Sequence, residues 1–349
     1  ELLESHVKRN DLGDELDRGS QKHRLMYHIG HAYNRLNTIS MARSDYQLAI
    51  TQAEIAMSYA KRLGYQIRVA DLMTNIASIY KNLGSFDKAL LYFSQALIIQ
   101  EELQEAPNAA RTIMGIGNVY LSLGNHDKAL LYYSKALVIF EEYDEKTSIA
   151  EVMMNMGIIY KHSNNYEVAL EYMYKSLHVH EALGKKSGVA RITASIGSVY
   201  LEVGAFQNAL ECYYKALSYH EELGEKSSVA HDLGNIGLVY LDQQFGGFDE
   251  QKAKEFLLKS IEISEKIGAK QLSYIHHRNL AEIYRNEKQW EEFALHFEKY
   301  HVLEKEVQSE EAKKAVELME HRRQAEEREK EMAIAHAKHE ATEQLLHNV

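Results

Sequence analysis

Apolar residues recur along most of the chain at steps of three and four positions, in paired segments separated by a short polar break. This spacing places them on one face of an α-helix. In one pair, the apolar face of the second segment consists of Tyr166, Ala169, Leu170, Met173 and Leu177. The matching face of the first segment consists of Met153, Met156, Gly157 and Tyr160, and the residues between are Ser163, Asn164 and Asn165. Each pair of segments is therefore predicted to form a helical hairpin.

The hairpins repeat with a period of forty residues, which is marked by Tyr80, Tyr120, Tyr160, Tyr200 and Tyr240. Four units follow one another without a gap, and a fifth carries a four-residue insertion around Gly246 and Gly247. One further unit is centred on Tyr284, and a divergent copy runs from His28 to Gly64, which makes seven hairpins. Because one hairpin cannot bury its own apolar face, the units must stack on one another.

Small residues recur at matching points of the two helices. They are Gly117, Gly157, Gly197 and Gly237 in the first helices, with Ala89, Ala129, Ala169 and Ala209 in the second. Glycine inside a helix costs up to about 1 kcal/mol relative to alanine, so its recurrence indicates close crossing of the two helices. The dipeptides Leu183-Gly184 and Leu223-Gly224 are predicted to end second helices, with glycine in the left-handed conformation.

These residues resemble the tetratricopeptide repeat, whose recurring Gly, Tyr, Ala and Ala match Gly117, Tyr120, Ala129 and Ala136. The resemblance covers about residues 20 to 300, and it departs from the family in lacking its usual Trp and the Pro after its second helix. It implies an all-α fold: a right-handed superhelix, or α-solenoid, of about seven hairpins. It also implies that the first helices line an inner groove.

Two stripes of first-helix residues are predicted to face that groove. The first, two residues before each recurring glycine, is His28, Asn75, Gly115, Asn155, Ser195, Asn235 and Asn279. The second, four residues earlier, is Arg24, Asp71, Arg111, Glu151, Arg191 and His231. Amide side chains can bond the backbone of an extended peptide, and arginines can bind a carboxylate in bidentate fashion. We therefore predict a groove for a mixed-charge peptide, with Asn75, Asn155, Asn235, Asn279, Arg111, Arg191 and His231 as its binding residues. The alternative is that the asparagines only brace neighbouring hairpins.

Composition narrows the class of protein further. The formal net charge of -11 argues against a nucleic-acid partner, which usually requires a basic surface. The single cysteine, Cys212, allows no internal disulfide and indicates a reducing compartment, so we expect a cytoplasmic protein. No apolar stretch approaches the roughly 20 residues that span a bilayer. The chain begins with Glu1 instead of Met, which suggests a piece of a longer protein.

No catalytic motif is present: there is no phosphate-binding glycine loop, no HExxH and no nucleophile elbow. Among the histidines, His178 with His180 and His276 with His277 have spacings that do not bring both rings to one helical face. His336 and His339 could share a face, but further ligands are not evident. We therefore expect a non-catalytic chain with no cofactor and no metal site.

The last part of the chain has a different character. We assign residues 1–20 to an N-terminal helical segment, residues 21–302 to the solenoid and residues 303–349 to a charged helix. In that helix Glu310 with Lys314 and Glu326 with Lys330 are favourable pairs. Its apolar residues are sparse and never give four clean heptads, so they are compatible with a coiled coil without defining one. A helix this polar buries little apolar surface by itself. We therefore expect it to pair with the same helix of a second copy, which would make the protein a homodimer.

The C-terminal residues also resemble a short sequence motif of bacterial class III adenylate or guanylate cyclases. In those cyclases a tetratricopeptide array is followed by a charged helix that leads into the catalytic domain. That helix ends in the motif Leu-Leu-x-Asn followed by a hydrophobic residue. The matching residues in this sequence are Leu345, Leu346, Asn348 and Val349. The resemblance implies a sensor region without catalytic residues of its own, followed by a missing C-terminal domain. Related arrays precede histidine kinases and serine phosphatases, and a stand-alone adaptor or scaffold is the alternative from another class.

Overall fold

The computed structural model describes residues 46–308 and, before them, His28. Residues 46–308 contain thirteen α-helices and no β-strand. They are α1 (Tyr46–Arg62), α2 (Gln66–Asn82), α3 (Phe86–Glu102), α4 (Ala106–Ser122), α5 (His126–Glu142), α6 (Lys146–His162), α7 (Tyr166–Ala182), α8 (Lys186–Glu202), α9 (Phe206–Leu223), α10 (Lys226–Leu241), α11 (Glu250–Ile267), α12 (Lys270–Asn286) and α13 (290–308).

The helices pair as the forty-residue period predicts. The first helices α2, α4, α6, α8, α10 and α12 are each followed by the second helix of the same hairpin, and α1 is the second helix of the earliest one. Successive hairpins pack on one another within each of two compact units, one ending at Tyr143 and the other beginning at Asp144. The predicted all-α solenoid is thus confirmed. Residues 1–20 and nearly all of the 303–349 segment lie outside the described residues.

The close crossing predicted at the recurring glycines is present. A Cβ added to Gly157 would lie 2.8 Å from Cγ of Met173 and 3.1 Å from the carbonyl oxygen of Ala169. A Cβ added to Gly117 would lie 2.7 Å from a ring carbon of Tyr133. Ala129 and Ala169 are fully buried in the second helices. The two helices of a hairpin therefore approach at a distance that only the smallest side chain permits.

Replacing Gly157 by leucine is expected to lower the free energy of unfolding by about 2–3 kcal/mol, because the added side chain overpacks the crossing between α6 and α7. The matched control is Gly246→Leu, since a Cβ at Gly246 meets no atom within 4 Å. Urea denaturation followed by circular dichroism measures both variants. Equal stability of the two variants would contradict close crossing as the reason for the recurring glycine.

The predicted left-handed glycines are confirmed at the ends of two second helices, where Gly184 has a φ of 64° and Gly224 a φ of 69°. Gln104 and Asp144 take the same conformation with φ of 58° and 52°. A left-handed residue after the last helical turn satisfies carbonyls that would otherwise lack a donor. The turn geometry is therefore kept even where the sequence does not provide glycine.

Most of the recurring tyrosines stack on an aromatic ring of their own hairpin. Tyr120 of α4 stacks on Tyr132 of α5 with ring centroids 5.4 Å apart, and Tyr160 of α6 stacks on Tyr172 of α7 at 5.5 Å. Lys128 extends over the ring of Tyr120, with its Nζ 5.1 Å from the centroid. These rings pack between the two helices of the hairpin. The forty-residue spacing of the tyrosines is thus a packing requirement of the repeat.

Candidate functional site

The second unit contains a cavity of about 380 Å³ where its first helices lie side by side. Three first helices, α6, α8 and α10, provide most of its wall, and α7 and α9 contribute one side chain each. The lining residues are Ile158, Lys161, Met173, Arg191, Ala194, Ser195, Ser198, His220, Ser228, His231, Asp232 and Asn235. We call this space the α6/α8/α10 cavity.

Three of the predicted binding residues line this cavity together: Arg191, His231 and Asn235. Arg191 and His231 are exposed, and Asn235 is half-buried. The Arg191 guanidinium and the Asn235 amide make no hydrogen bond or ion pair with any residue in the described part of the chain. The amide of Asn235 therefore does not brace the neighbouring hairpin. Both groups point into a space where a ligand could meet them.

Other predicted residues lie elsewhere. In the first unit, Asn75 is exposed on α2, and Arg111 is exposed on α4, where its Nη1 donates to Oδ1 of Asn108 at 2.9 Å. Asn155 is half-buried on α6 and does not line the α6/α8/α10 cavity. Their role in a groove remains a prediction.

Two positions of the predicted stripe are closed off. The Nδ2 of Asn279, on α12, is buried and has no acceptor among the described residues, so this amide does not present its donor at the surface. Gly115 is also buried, because the ring of Phe93 occupies the space in front of it: an added Cβ would lie 2.6 Å from Cε1 of Phe93. A regular spacing along the chain does not guarantee equal access, since the second helix of the preceding hairpin can cover a position.

Sequence reasoning missed several lining residues. Lys161 directly follows the recurring Tyr160, and its Nζ donates to Oγ of Ser198 on the next first helix at 3.1 Å. A search for lysines beside the recurring tyrosine could have found it. His220 and Asp232 form a buried pair on the cavity floor, with Nδ1 and Oδ2 2.6 Å apart. This pair joins α9 to α10, and no sequence signal indicates it.

Burial sets the charge state of the groups around the cavity. His231 is exposed at the surface, but the surrounding helices partly desolvate its ring, which lowers its pKa and leaves the ring largely uncharged at neutral pH. Burial raises the pKa of Asp232, and the hydrogen bond and charge of His220 oppose that shift. Burial also raises the pKa of the Cys212 thiol, which fits a packing residue better than a nucleophile. The fixed positive charges on the cavity wall are therefore those of Lys161 and Arg191.

The first unit has a cavity of its own, of about 530 Å³, at the loop between α1 and α2. Its lining residues are Gly64, Tyr65, Gln66, Ile67, Arg68, Asp71 and Leu103. Burial raises the pKa of Asp71, and the nearby Arg68 opposes this shift. This cavity is more apolar than the one in the second unit and carries one charge of each sign.

The described residues contain no group of three or more histidine, cysteine, aspartate or glutamate side chains arranged to hold a metal ion. No helix among them is both long enough and apolar enough to cross a membrane.

Two protein-family models match the chain, and both describe repeats of paired helices. One tetratricopeptide repeat model matches residues 108–182, and a second matches residues 23–54, 70–102 and 190–222. The chain therefore carries tetratricopeptide repeats, and its described helices form a solenoid of that type. No curated protein sequence matches the chain significantly.

Several solved structures share the fold. A signal transduction ATPase with a tetratricopeptide repeat sensor, from Pyrococcus horikoshii, has a TM-score of 0.65 and 19% identity over 84% of this chain and 46% of that one. The match thus spans about half of the ATPase. The quorum sensor NprR from B. thuringiensis, in its apo form, has a TM-score of 0.60 and 17% identity over 86% and 85% of the two chains. The Rap conjugation gene regulator of plasmid pLS20, in complex with the Phr* peptide, has a TM-score of 0.59 and 15% identity over 87% and 84%. At these identities the comparison shows the fold alone.

Proposed function

We propose that this chain is a non-catalytic regulatory module that binds a peptide or protein segment along the first helices of its repeats. The observation that carries the proposal is the α6/α8/α10 cavity, where Arg191 and Asn235 have hydrogen-bonding groups that no described residue satisfies. A cavity with a few convergent polar groups on its wall is typical of ligand sites. A Rap regulator of the same fold binds the Phr* peptide, which supports a peptide as the ligand class.

The amide of Asn235 would bond the peptide backbone, because one side chain offers both an acceptor and two donors. Asn75 and Asn155 would act in the same way on their own helices. Arg111, Arg191 and His231 would contact peptide side chains. Asn279 is not expected to contribute a donor, since its Nδ2 is enclosed.

Asn235→Ala is expected to weaken peptide binding about fivefold to tenfold, since a hydrogen bond contributes about 0.5–1.5 kcal/mol. The melting temperature should not change, because this amide makes no internal hydrogen bond. The measurement is fluorescence polarisation with a positional-scanning library of labelled hexapeptides, followed by titration of the selected sequences.

The matched control is Asn125→Ala. The Asn125 side chain caps α5 by accepting from the backbone N–H of Lys128 at 3.1 Å, so its loss should cost about 1 kcal/mol of stability and leave affinity unchanged. If Asn235→Ala lowers stability as much as Asn125→Ala does, the amide braces the stack. If no library peptide binds, the proposed function fails.

The finer proposal is that the chain is the sensor region of a bacterial class III nucleotidyl cyclase in the cytoplasm. It rests on the C-terminal sequence motif formed by Leu345, Leu346, Asn348 and Val349. Pairing of the 303–349 helices in a homodimer would transmit ligand binding to the domain that follows. Reading the next hundred or so codons of the gene tests it: absence of the paired aspartates of a cyclase would overturn it. A kinase or phosphatase domain, or an adaptor with no such domain, is the alternative.

Dimerisation has its own test. Sedimentation of the chain with and without residues 303–349 should give a dimer and a monomer, respectively. A monomer in both cases would exclude pairing through this segment.

A further inference from the structure

The three first helices around the α6/α8/α10 cavity each contribute one basic side chain to it: Lys161 from α6, Arg191 from α8 and His231 from α10. Lys161 is half-buried, and Ser198 holds its Nζ at 3.1 Å. The Arg191 guanidinium has no partner among the described residues. Two full positive charges and a ring N–H donor therefore converge on one space.

The carboxylates near this cavity are occupied by internal partners. Asp232 is the one carboxylate that lines it, and its Oδ2 lies 2.6 Å from Nδ1 of His220. Asp232 is only 2% exposed, so its carboxylate presents little surface to the cavity. Glu225 is near but does not line the cavity, and it accepts from the hydroxyl of Ser187 at 2.9 Å. Neither Lys161 nor Arg191 forms an ion pair with an acidic side chain among the described residues.

We infer that the α6/α8/α10 cavity is an anion-recognising pocket that takes an acidic side chain of the bound peptide, either a carboxylate or a phosphate monoester. The inference rests on the proposed function, because it specifies which side chain that peptide carries. Arg191 would bind the anion through its guanidinium, Lys161 would supply a point charge, and His231 would donate a hydrogen bond. The hydroxyl of Ser228 donates to Oε2 of Glu225 at 3.4 Å. The hydroxyl of Ser195 is directed to the backbone carbonyl of Arg191 at 3.0 Å.

The preference is local and does not follow from the whole chain, whose formal net charge is -11. An acidic surface with one basic pocket repels anions in general and admits them only where the pocket offers charge-assisted bonds. The cavity of the first unit lacks this arrangement, because Asp71 accompanies Arg68 in its wall. Selection for an acidic residue is therefore expected at the second unit.

The test uses the full chain and hexapeptide sublibraries with blocked termini, so that only side chains carry charge. In each sublibrary one position is fixed as glutamate, glutamine, phosphoserine or serine. Wild type is expected to bind the best glutamate or phosphoserine sublibrary at least about tenfold more tightly than its neutral counterpart. Arg191→Ala and Lys161→Ala should each remove most of this ratio, because each variant removes one positive charge from the cavity wall.

The matched control is Arg285→Ala, which removes an exposed arginine of α12 that is paired with Glu282. It should leave the acidic-to-neutral ratio unchanged. A tighter phosphoserine sublibrary identifies the anion as phosphate, and a tighter glutamate sublibrary identifies it as carboxylate. Equal binding of acidic and neutral sublibraries would overturn the anion pocket and leave peptide binding intact. Failure of every sublibrary would instead overturn the proposed function.

Discussion

Acidification from pH 7 to pH 4 is expected to lower the free energy of unfolding of the second unit by about 3 kcal/mol for each of two buried histidines. His276 is 2% exposed, and burial, followed by the charges of His231 and His277, lowers its pKa to about 4. His296 is 8% exposed, and burial, followed by His277, lowers its pKa to about 4. In the unfolded chain both rings take up protons near pH 6.5.

The direction follows from proton binding. Between pH 6.5 and pH 4 the unfolded state binds a proton at each ring that the folded state does not, so stability falls as the pH falls through this window. The two contributions are not strictly additive, because Nδ1 of His296 lies 2.7 Å from Nδ1 of His277 and the rings share a hydrogen bond. His277 in turn faces Glu265 through Nε2 at 3.2 Å, and Lys299 lies beside the same carboxylate.

Urea denaturation at several pH values, followed by circular dichroism, measures this effect. Carboxylates also titrate near pH 4, so the informative quantity is the difference between wild type and His276→Leu. That variant removes a ring whose Nδ1 has no partner among the described residues, and it should lose about 3 kcal/mol less than wild type on acidification. His178→Leu, an exposed position on α7, is the matched control. The same pH slope in wild type and His276→Leu would contradict the prediction.

The second large effect is expected at Asp232. Asp232→Ala should lower the free energy of unfolding by about 3–5 kcal/mol, because it leaves His220 buried without the partner of its Nδ1. Both side chains are almost fully enclosed, with 4% and 2% of their surface exposed. Asp232→Asn keeps an acceptor for the His220 ring and should cost about 1 kcal/mol.

Thermal or urea denaturation at pH 7 measures these variants. The control is Glu262→Ala, which breaks a fully exposed ion pair with Lys266 of 2.7 Å. It should change stability little, since water screens such a pair. Equal losses from Asp232→Ala and Glu262→Ala would show that the buried pair contributes no more than a surface contact does.

Part of the architecture could be predicted because it depends on contacts within a hairpin. Gly157 and Ala169 lie twelve positions apart, and their small size reports a crossing between helices that follow each other directly. Tyr160 and Tyr172 are likewise local, and their stacking repeats wherever the same spacing recurs. The forty-residue period therefore predicts these contacts, because the two helices pack in the same way in every hairpin.

The candidate site was predicted only in part. The repeat spacing, together with the resemblance to the tetratricopeptide repeat, predicted that Arg191, His231 and Asn235 face one groove, and in the structure all three line one cavity. Lys161 and the pair of His220 with Asp232 were missed. Their positions depend on how neighbouring helices rotate against one another, and helical spacing within one segment does not specify that rotation.

By itself, the amino-acid sequence determined the helical hairpins, their period and the small residues at their crossings, since these follow from local spacing and from apolar faces that one hairpin cannot bury. Only the tertiary structure decided which positions of a regular stripe stay open. Asn235 reaches a cavity, the amide nitrogen of Asn279 is enclosed and Gly115 is covered by Phe93. The reason is physical: access depends on side chains of the preceding and following hairpins, which lie dozens of residues away in the chain.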